Sequence, residues 1–391
     1  MIAGSGVQAF RCSGVQALRR SGVQAFRRSD WGTSTTERLV ALAFLCAFTI
    51  GPLLAAPRPR PAAATVHPLN ARTPERLSAR APDYLGTPAT EGAVARALRF
   101  LQKGQNPDGS WDSSSYTAEV GITGLCCLAF LSAGHQPGRG PYGRVLARAT
   151  DFLADHVQRT GLVYNGAGSP GPPMYGHGFA TLALAELYGQ SRRRDLRDKL
   201  ERAVKLILST QNEEGGWRYQ PRIADADISV SVAQVMALRA AHNAGLPVPP
   251  EVVKRAIDYM KRCANNPDGG FSYMPSQRVS GPARTGAGVL SLILSGERKA
   301  PEVQRGLQFL MDHPPGTREQ HLFYGLYYNT QAMYQAGAAY WRFWFPHLAS
   351  FLLETQRADG SWWDGPGAAY ATAMGVLALQ VPAHLLPIYQ R

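Results

Sequence analysis

One short pattern recurs along this chain and constrains its fold more than any other feature. It reads "QNPDGSW" at residues 105–111, "QNEEGGW" at 211–217, "NNPDGGF" at 265–271 and "QRADGSW" at 356–362. When the last residues of these segments are aligned with Tyr164 and Tyr324, the successive intervals are 53, 53, 54, 53 and 38 residues. Self-similarity at a nearly constant period is typical of repeat architectures. The pattern therefore predicts six structural units.

Each unit has two helical halves of different character. The first half is amphipathic: in residues 249–263, Val252, Ala256 and Met260 share one apolar stripe. The second half is apolar on nearly every side, as in "VGITGLCCLAFLSAG" at 120–134, and such a helix must be enclosed. Five of the apolar segments end at a glycine, which predicts a C-terminal helix cap at Gly134, Gly189, Gly245, Gly296 and Gly337.

Six such hairpins predict an all-α domain over residues 89–391, in the form of an α6–α6 toroid. The apolar helices would form an inner ring, and the amphipathic helices would form an outer ring around it. An open solenoid is the alternative, but solenoids normally end in polar capping repeats. The last apolar segment here is as apolar as the others, which favours a closed ring.

The region before this domain has a different composition. Residues 1–38 contain three tandem basic octapeptides and are predicted to be a tail, and residues 57–88 are a Pro/Ala/Arg-rich linker. Between them, residues 39–56 are uncharged and apolar, which predicts a signal peptide, with a membrane anchor as the alternative. We therefore expect the protein to be exported to the periplasm or outside the cell, or to be anchored in the membrane.

The net charge of +13 does not indicate nucleic-acid binding. Residues 1–99 carry 13 Lys/Arg and 5 Asp/Glu, a net +8, which leaves +5 for the other residues. Most of the excess thus lies outside the predicted folded domain.

The repeated spacing Gln-x-x-x-Gly-x-Trp resembles the QW-type repeat of the squalene and oxidosqualene cyclases and of the related prenyltransferase β-subunits. Three units match it fully, and a fourth has Asn265 in place of Gln and Phe in place of Trp. The matching residues are Gln105, Gly109 and Trp111; Gln211, Gly215 and Trp217; Gly269 and Phe271; and Gln356, Gly360 and Trp362. The resemblance implies an α/α toroid whose central cavity binds an apolar isoprenoid.

In the cyclases, a DxDD segment supplies the acid that protonates the substrate. This chain has Asp225-x-Asp227 in "ADADIS", with Ile228 in place of the last Asp. The resemblance makes Asp227 the proton donor and Asp225 its modulator, because two neighbouring carboxylates raise the pKa of one of them. Asp227 is also well suited to cap the helix that follows it. The triterpene cyclases pair two toroids, whereas this chain has one.

In a closed toroid, the N-termini of the inner helices surround one mouth of the cavity. We predict that polar and aromatic side chains at this mouth bind the substrate, namely Tyr175, His177, Arg284, His321, Tyr324 and Tyr328. The aromatic faces would stabilise carbocations or hold an apolar chain. Ordinary packing of these rings is the alternative.

The sequence also allows activities other than isoprenoid cyclisation by protonation. Zinc-dependent prenyl transfer is disfavoured because none of Cys126, Cys127 and Cys263 follows an Asp by two positions, and we predict no metal and no cofactor. A polysaccharide lyase would use residues such as His177, Arg284 and His321. A toroid that binds a lipid, a glycan or a protein without catalysis is the remaining alternative.

Overall fold

A computed structural model of the protein describes residues 86–166, 172–191, 193–264, 266–316, 319 and 321–390. These residues form twelve α-helices, two short 3₁₀ turns and three isolated β-bridges. The predicted tail, the apolar segment 39–56, the linker up to residue 85 and Asn265 lie outside the described residues. Within the described ranges, no helix has both the length and the apolar character needed to cross a membrane.

The helices pair into six consecutive hairpins, each made of one outer and one inner helix. The outer helices are α1 (Pro88–Lys103), α3 (Gly143–Asp155), α5 (Arg194–Thr210), α7 (Pro250–Cys263), α9 (Pro301–Asp312) and α11 (Ala338–Thr355). The inner helices are α2 (Val120–Ser132), α4 (Pro173–Ser191), α6 (Ile228–Asn243), α8 (Pro282–Leu294), α10 (Leu322–Ala336) and α12 (Ala368–Gln380).

The burial of each helix follows from its composition. All 13 residues of α2 are buried, as expected for a helix that is apolar all round. In α7 one face is buried, with Val252, Ala256 and Met260 among its residues, and the charged face is in contact with solvent. The apolar helices thus lie inside and the amphipathic helices outside.

The inner ring is closed. Each inner helix packs against the next one along the chain, and α12 packs against α2. In the outer layer, α11 also contacts α1. Small residues allow the close approach: a Cβ on Gly124 of α2 would lie 2.9 Å from the carbonyl oxygen of Phe179 in α4. The prediction of an all-α toroid of six hairpins is confirmed.

The predicted glycine caps are only partly correct. Gly134, Gly245 and Gly296 have positive φ values of 84°, 91° and 95° after inner helices, which suits a residue without a side chain. Gly337 follows α10 with a φ of 128°. The prediction for Gly189 is wrong, because α4 continues through it to Ser191.

The C-terminal segment contacts the end of the ring that lies opposite the inner-helix N-termini. It contains the 3₁₀ turns Val381–Ala383 and Pro387–Tyr389, and Tyr389 is 1% exposed. Gln335 of α10 donates to the Tyr389 carbonyl at 3.0 Å. The Ile388 amide donates to Glu186 of α4 at 3.2 Å, so this segment is bonded to two inner helices.

Candidate functional site

The repeated turns join each hairpin to the next outer helix. In the third unit, Gln211 Nε2 donates to the Gly215 carbonyl and to the carbonyl of Val252 in α7, both at 2.9 Å. The Trp217 indole donates to the Ile207 carbonyl at 2.8 Å. The same bonds recur at Gln105 and Trp111 and at Gln356 and Trp362. Gln356 donates to Ala93 of α1, so the last turn closes the ring.

The turn glycines and carboxylates have local roles. Gly215 has a φ of 93°, and a Cβ there would lie 2.1 Å from the Arg255 carbonyl oxygen, so only glycine fits. Gly109, Gly269 and Gly360 also have positive φ. Three turn carboxylates accept backbone N–H groups two residues later, at Ser110 for Asp108, at Gly270 for Asp268 and at Ser361 for Asp359.

The second and fifth units differ from the sequence alignment. In the second unit the repeat positions are held by Gly161, with a φ of 93°, and by Val163, rather than by Tyr164. The Val163 amide bonds to an inner-helix side chain at 3.1 Å, as the amides of Trp217 and Phe271 do. In the fifth unit Tyr324 lies inside α10, not in the turn.

With Val163 at the repeat position, His177 of α4 is bonded to the turn of its own unit. Its Nδ1 accepts the Val163 amide, so it occupies the same place as Thr123, Ser231, Thr285 and Thr372 in the other units. The side chain is fully buried, and burial lowers the pKa of His177 to about 4. The neutral imidazole thus holds the backbone of its own turn.

Asp227 lies at the N-terminus of α6 and is fully buried. Its Oδ1 accepts from the amides of Ser229 and Val230, both at 2.9 Å, and from the Ser229 hydroxyl at 2.5 Å. Its Oδ2 receives no hydrogen bond within the described residues. Burial raises the pKa of Asp227, although the hydrogen bonds and a nearby guanidinium act in the opposite direction. Asp227 is therefore a helix cap, and its second oxygen faces a guanidinium.

The structure does not place Asp225 in the same environment. Its side chain is 58% exposed, and its Oδ2 lies 3.6 Å from Arg218 Nε. Arg218 Nη1 lies 3.5 Å from Asp227 Oδ2, so one guanidinium stands between the two carboxylates. Ile228, at the position of the missing Asp, is fully buried, and its amide donates to the Tyr273 carbonyl at 3.0 Å.

Three of the predicted tyrosines meet inside the ring. The hydroxyls of Tyr175 in α4 and Ser229 of α6 are hydrogen-bonded, and the Tyr324 hydroxyl of α10 donates to the Ser229 carbonyl at 3.3 Å. The ring centroids of Tyr324 and Tyr328 are 4.6 Å apart. Since α10 lies across the ring from the neighbouring helices α4 and α6, these side chains span the mouth.

Arg284 and His321 lie at the edge of this mouth. Arg284 Nη2 donates to the Ser280 carbonyl at 3.0 Å, and burial lowers its pKa. His321 is an exposed residue with a φ of 61° immediately before α10. His177, the third residue considered for lyase chemistry, is instead bonded to the Val163 amide.

Carboxylates cap four of the six inner helices. Glu119 accepts the Ile122 amide of α2, Asp227 caps α6, Glu319 accepts the Ala283 amide of α8, and Asp364 accepts the Phe323 amide of α10. Burial raises the pKa of Glu119 and raises that of Glu319 to about 7. These caps satisfy backbone groups that would otherwise attract an anion.

Several residues near Asp227 were not predicted from the sequence. The rings of Tyr219 and Tyr273, whose hydroxyls are hydrogen-bonded to each other, both lie beneath the guanidinium of Arg218. Each tyrosine follows a turn aromatic, Trp217 or Phe271, by two residues. That repeated spacing is the signal that would have found them.

Comparisons with known proteins agree with this architecture. Residues 181–350 match the family model of the squalene-hopene cyclase C-terminal domain. A curated relative, drimenyl diphosphate synthase of Streptantibioticus cattleyicolor, is 28% identical over 203 residues, which cover 47% of this chain and 33% of the relative. The match thus spans about a third of that relative's length.

Solved structures show the same fold at low sequence identity. A type II terpene cyclase from Scytonema, in complex with geranylgeranyl dihydroxybenzoate, has a TM-score of 0.51 and 17% identity over 76% of this chain and 98% of its own. An α-1,6-mannanase of Salegentibacter has a TM-score of 0.55 and 8% identity over 76% of this chain and 99% of its own. These likenesses show that the chain has the α/α toroid fold. The predicted resemblance to the squalene cyclase repeats is confirmed.

Proposed function

We propose that the toroid binds a linear isoprenoid at the mouth of the inner ring and cyclises it by protonation from Asp227. The observation that carries this proposal is the environment of the carboxyl group. Asp227 is fully buried, one of its oxygens is bonded to the start of α6, and the other receives no hydrogen bond within the described residues. A buried carboxyl whose pKa is raised is suited to keep a proton and deliver it.

The side chains around Asp227 suit the next step of such a reaction. Tyr175 and Tyr219 have ring centroids 6.0 Å apart, and Tyr324 and Tyr328 lie across the mouth. Aromatic faces attract cations, so these rings would stabilise the positive charge that develops along the chain after protonation. The relative named as a drimenyl diphosphate synthase and the terpene cyclase with a bound geranylgeranyl compound support this class of substrate.

The test is the Asp227→Asn variant, incubated with geranylgeraniol, geranylgeranyl diphosphate and squalene and analysed by mass spectrometry. Asn retains an oxygen that accepts the helix N–H groups but has no acidic proton. We expect a cyclic product from one of these probes with the unmodified protein and none with the variant. Asp258→Asn is the matched control, because the Asp258 side chain is 45% exposed on the outer helix α7 and should leave turnover largely intact. Equal turnover by Asp227→Asn and the unmodified protein would refute the proposal.

A second candidate is a toroid that binds an apolar molecule without chemistry. One observation favours it: the bonds from Tyr175 and Tyr324 to Ser229 cross the mouth where a substrate would have to pass. Co-purification of an unchanged isoprenoid, with no product from the unmodified protein, would support this candidate over cyclisation.

A further inference from the structure

Arg218 is placed so that it touches both candidate carboxylates at once. Its Nε lies 3.6 Å from Asp225 Oδ2, and its Nη1 lies 3.5 Å from Asp227 Oδ2. These distances are those of ion pairs that lack short hydrogen bonds. The guanidinium is therefore shared between an exposed carboxylate and a fully buried one.

The contacts of Arg218 keep its guanidinium between the two carboxylates but do not fix its orientation. Its carbon Cζ lies 4.6 Å from the ring centroid of Tyr219 and 5.4 Å from that of Tyr273. Its Nη1 is 3.7 Å from the Met274 sulfur, and the side chain is 21% exposed. Cation–π contact and a weak sulfur acceptor orient a guanidinium less strictly than a bidentate carboxylate would.

The other groups that face Asp227 from neighbouring elements are uncharged at neutral pH. They are Tyr175 of α4, Tyr219 and Tyr273 of the turns, Ser229 of α6, Tyr259 and Cys263 of α7, and Tyr324 of α10. Among the described residues with a resolved effect on Asp227, Arg218 is the cation. An opposite charge within about 4–6 Å favours an ionised carboxyl by one to three pKa units.

We propose that Arg218 is a positioning residue that decides whether Asp227 carries a proton, according to whether its guanidinium pairs with Asp227 or with Asp225. While Arg218 faces Asp227, its positive charge favours the ionised carboxylate, which cannot protonate an alkene. When Arg218 turns to the exposed Asp225, Asp227 takes up a proton from solvent, and that proton is the one it later transfers. Asp225 thus acts through the arginine rather than by direct repulsion. The catalytic meaning of this switch depends on the proposed function.

The experiment measures the titration of Asp227 itself, so it does not require turnover. The unmodified protein, labelled with ¹³C at the Asp side-chain carboxyl carbons, is titrated by NMR, and the Asp227 signal is assigned by its loss in Asp227→Asn. We expect Arg218→Gln to raise the pKa of Asp227 by about one unit or more. Asp225→Asn should lower it, because Arg218 then pairs with Asp227 alone. A role of Arg218 in packing would not produce shifts of opposite sign.

Arg218→Lys keeps the positive charge and should place the pKa of Asp227 between those of the unmodified protein and Arg218→Gln. If Arg218→Gln does not fold, the opposite directions expected for Arg218→Lys and Asp225→Asn still test the proposal. An Asp227 titration unchanged in every folded variant would overturn it. Shifts in the expected directions without any cyclic product would support the switch and contradict the proposed function, so the two failures are distinguishable.

Discussion

Glu186 offers a direct test of how burial controls ionisation in this ring. It lies on α4, is 2% exposed and accepts the Ile388 amide through Oε1, while its Oε2 has no hydrogen bond among the described residues. Burial raises the pKa of Glu186 from 4.5 to about 8. The folded protein therefore holds this group in its protonated form near neutral pH.

The consequence is a stability that depends on pH. The folded state retains the proton while the unfolded chain loses it, so the contribution of Glu186 favours folding most at low pH. That contribution is lost between the unfolded pKa of 4.5 and the folded pKa of about 8. Over the ~2.5 units from pH 4.5 to 7, at ~1.4 kcal/mol per unit, the loss amounts to ~3 kcal/mol.

Glu186→Gln should remove this loss, because the amide has the same shape, still accepts the Ile388 N–H and does not titrate. We expect the unfolding free energy of the variant, relative to the unmodified protein, to rise by ~3 kcal/mol between pH 4.5 and pH 7. Urea titrations followed by circular dichroism at several pH values measure this difference. Glu213→Gln, in an exposed turn, is the control and should show no comparable trend. If the curves for Glu186→Gln and the unmodified protein stay parallel, the assigned ionisation state is wrong.

Three further predictions concern the repeats and are measured by urea denaturation at neutral pH. Gly215→Ala should cost ~2 kcal/mol or more, because a Cβ would meet the Arg255 carbonyl at 2.1 Å. Gly189 lies within α4, and a Cβ there would meet nothing within 4 Å, so Gly189→Ala should be neutral or stabilise the protein by up to ~1 kcal/mol. Equal effects of Gly215→Ala and Gly189→Ala would contradict the turn geometry. Trp217→Phe should cost ~1–3 kcal/mol, because the Ile207 carbonyl loses the indole donor at 2.8 Å and keeps only the longer bond from the Thr210 hydroxyl at 3.3 Å. No loss of stability would show that water replaces the indole. Gln356→Leu, which removes the bond to Ala93 at 2.9 Å, should cost ~1–3 kcal/mol, and a stability equal to that of the unmodified protein would mean that ring closure does not depend on this side chain.

The repeat and the fold could be predicted from the sequence because they depend on local and periodic features. A helix that is apolar all round must be enclosed, and an amphipathic helix must lie at a surface. Gln, Gly and Trp at fixed spacing predicted the turns where all three residues are present. The second unit was misaligned by one residue because Tyr164 is aromatic, whereas Val163 occupies the place of the tryptophan.

The candidate site could be predicted only in part. Asp227 was correctly placed at the start of an inner helix, where its side chain caps the first N–H groups. His177 was predicted at the mouth, and its bond to the Val163 amide could not be foreseen, because the position of a residue on an inner helix does not reveal whether its side chain faces the centre of the ring or its own turn. Arg218, Tyr219 and Tyr273 were missed, since they follow the turns and not the helices.

The sequence by itself thus determined the helices, their inner or outer position and the turns that connect them, because these depend on propensity, periodicity and backbone conformation. Only the tertiary structure decided which side chains meet. Asp225 and Asp227 are two residues apart, yet one is 58% exposed and the other fully buried. Tyr175 and Tyr324 are far apart in sequence, yet both bond to Ser229. Closure of the ring brings them together, and burial then sets the charge of each group inside it.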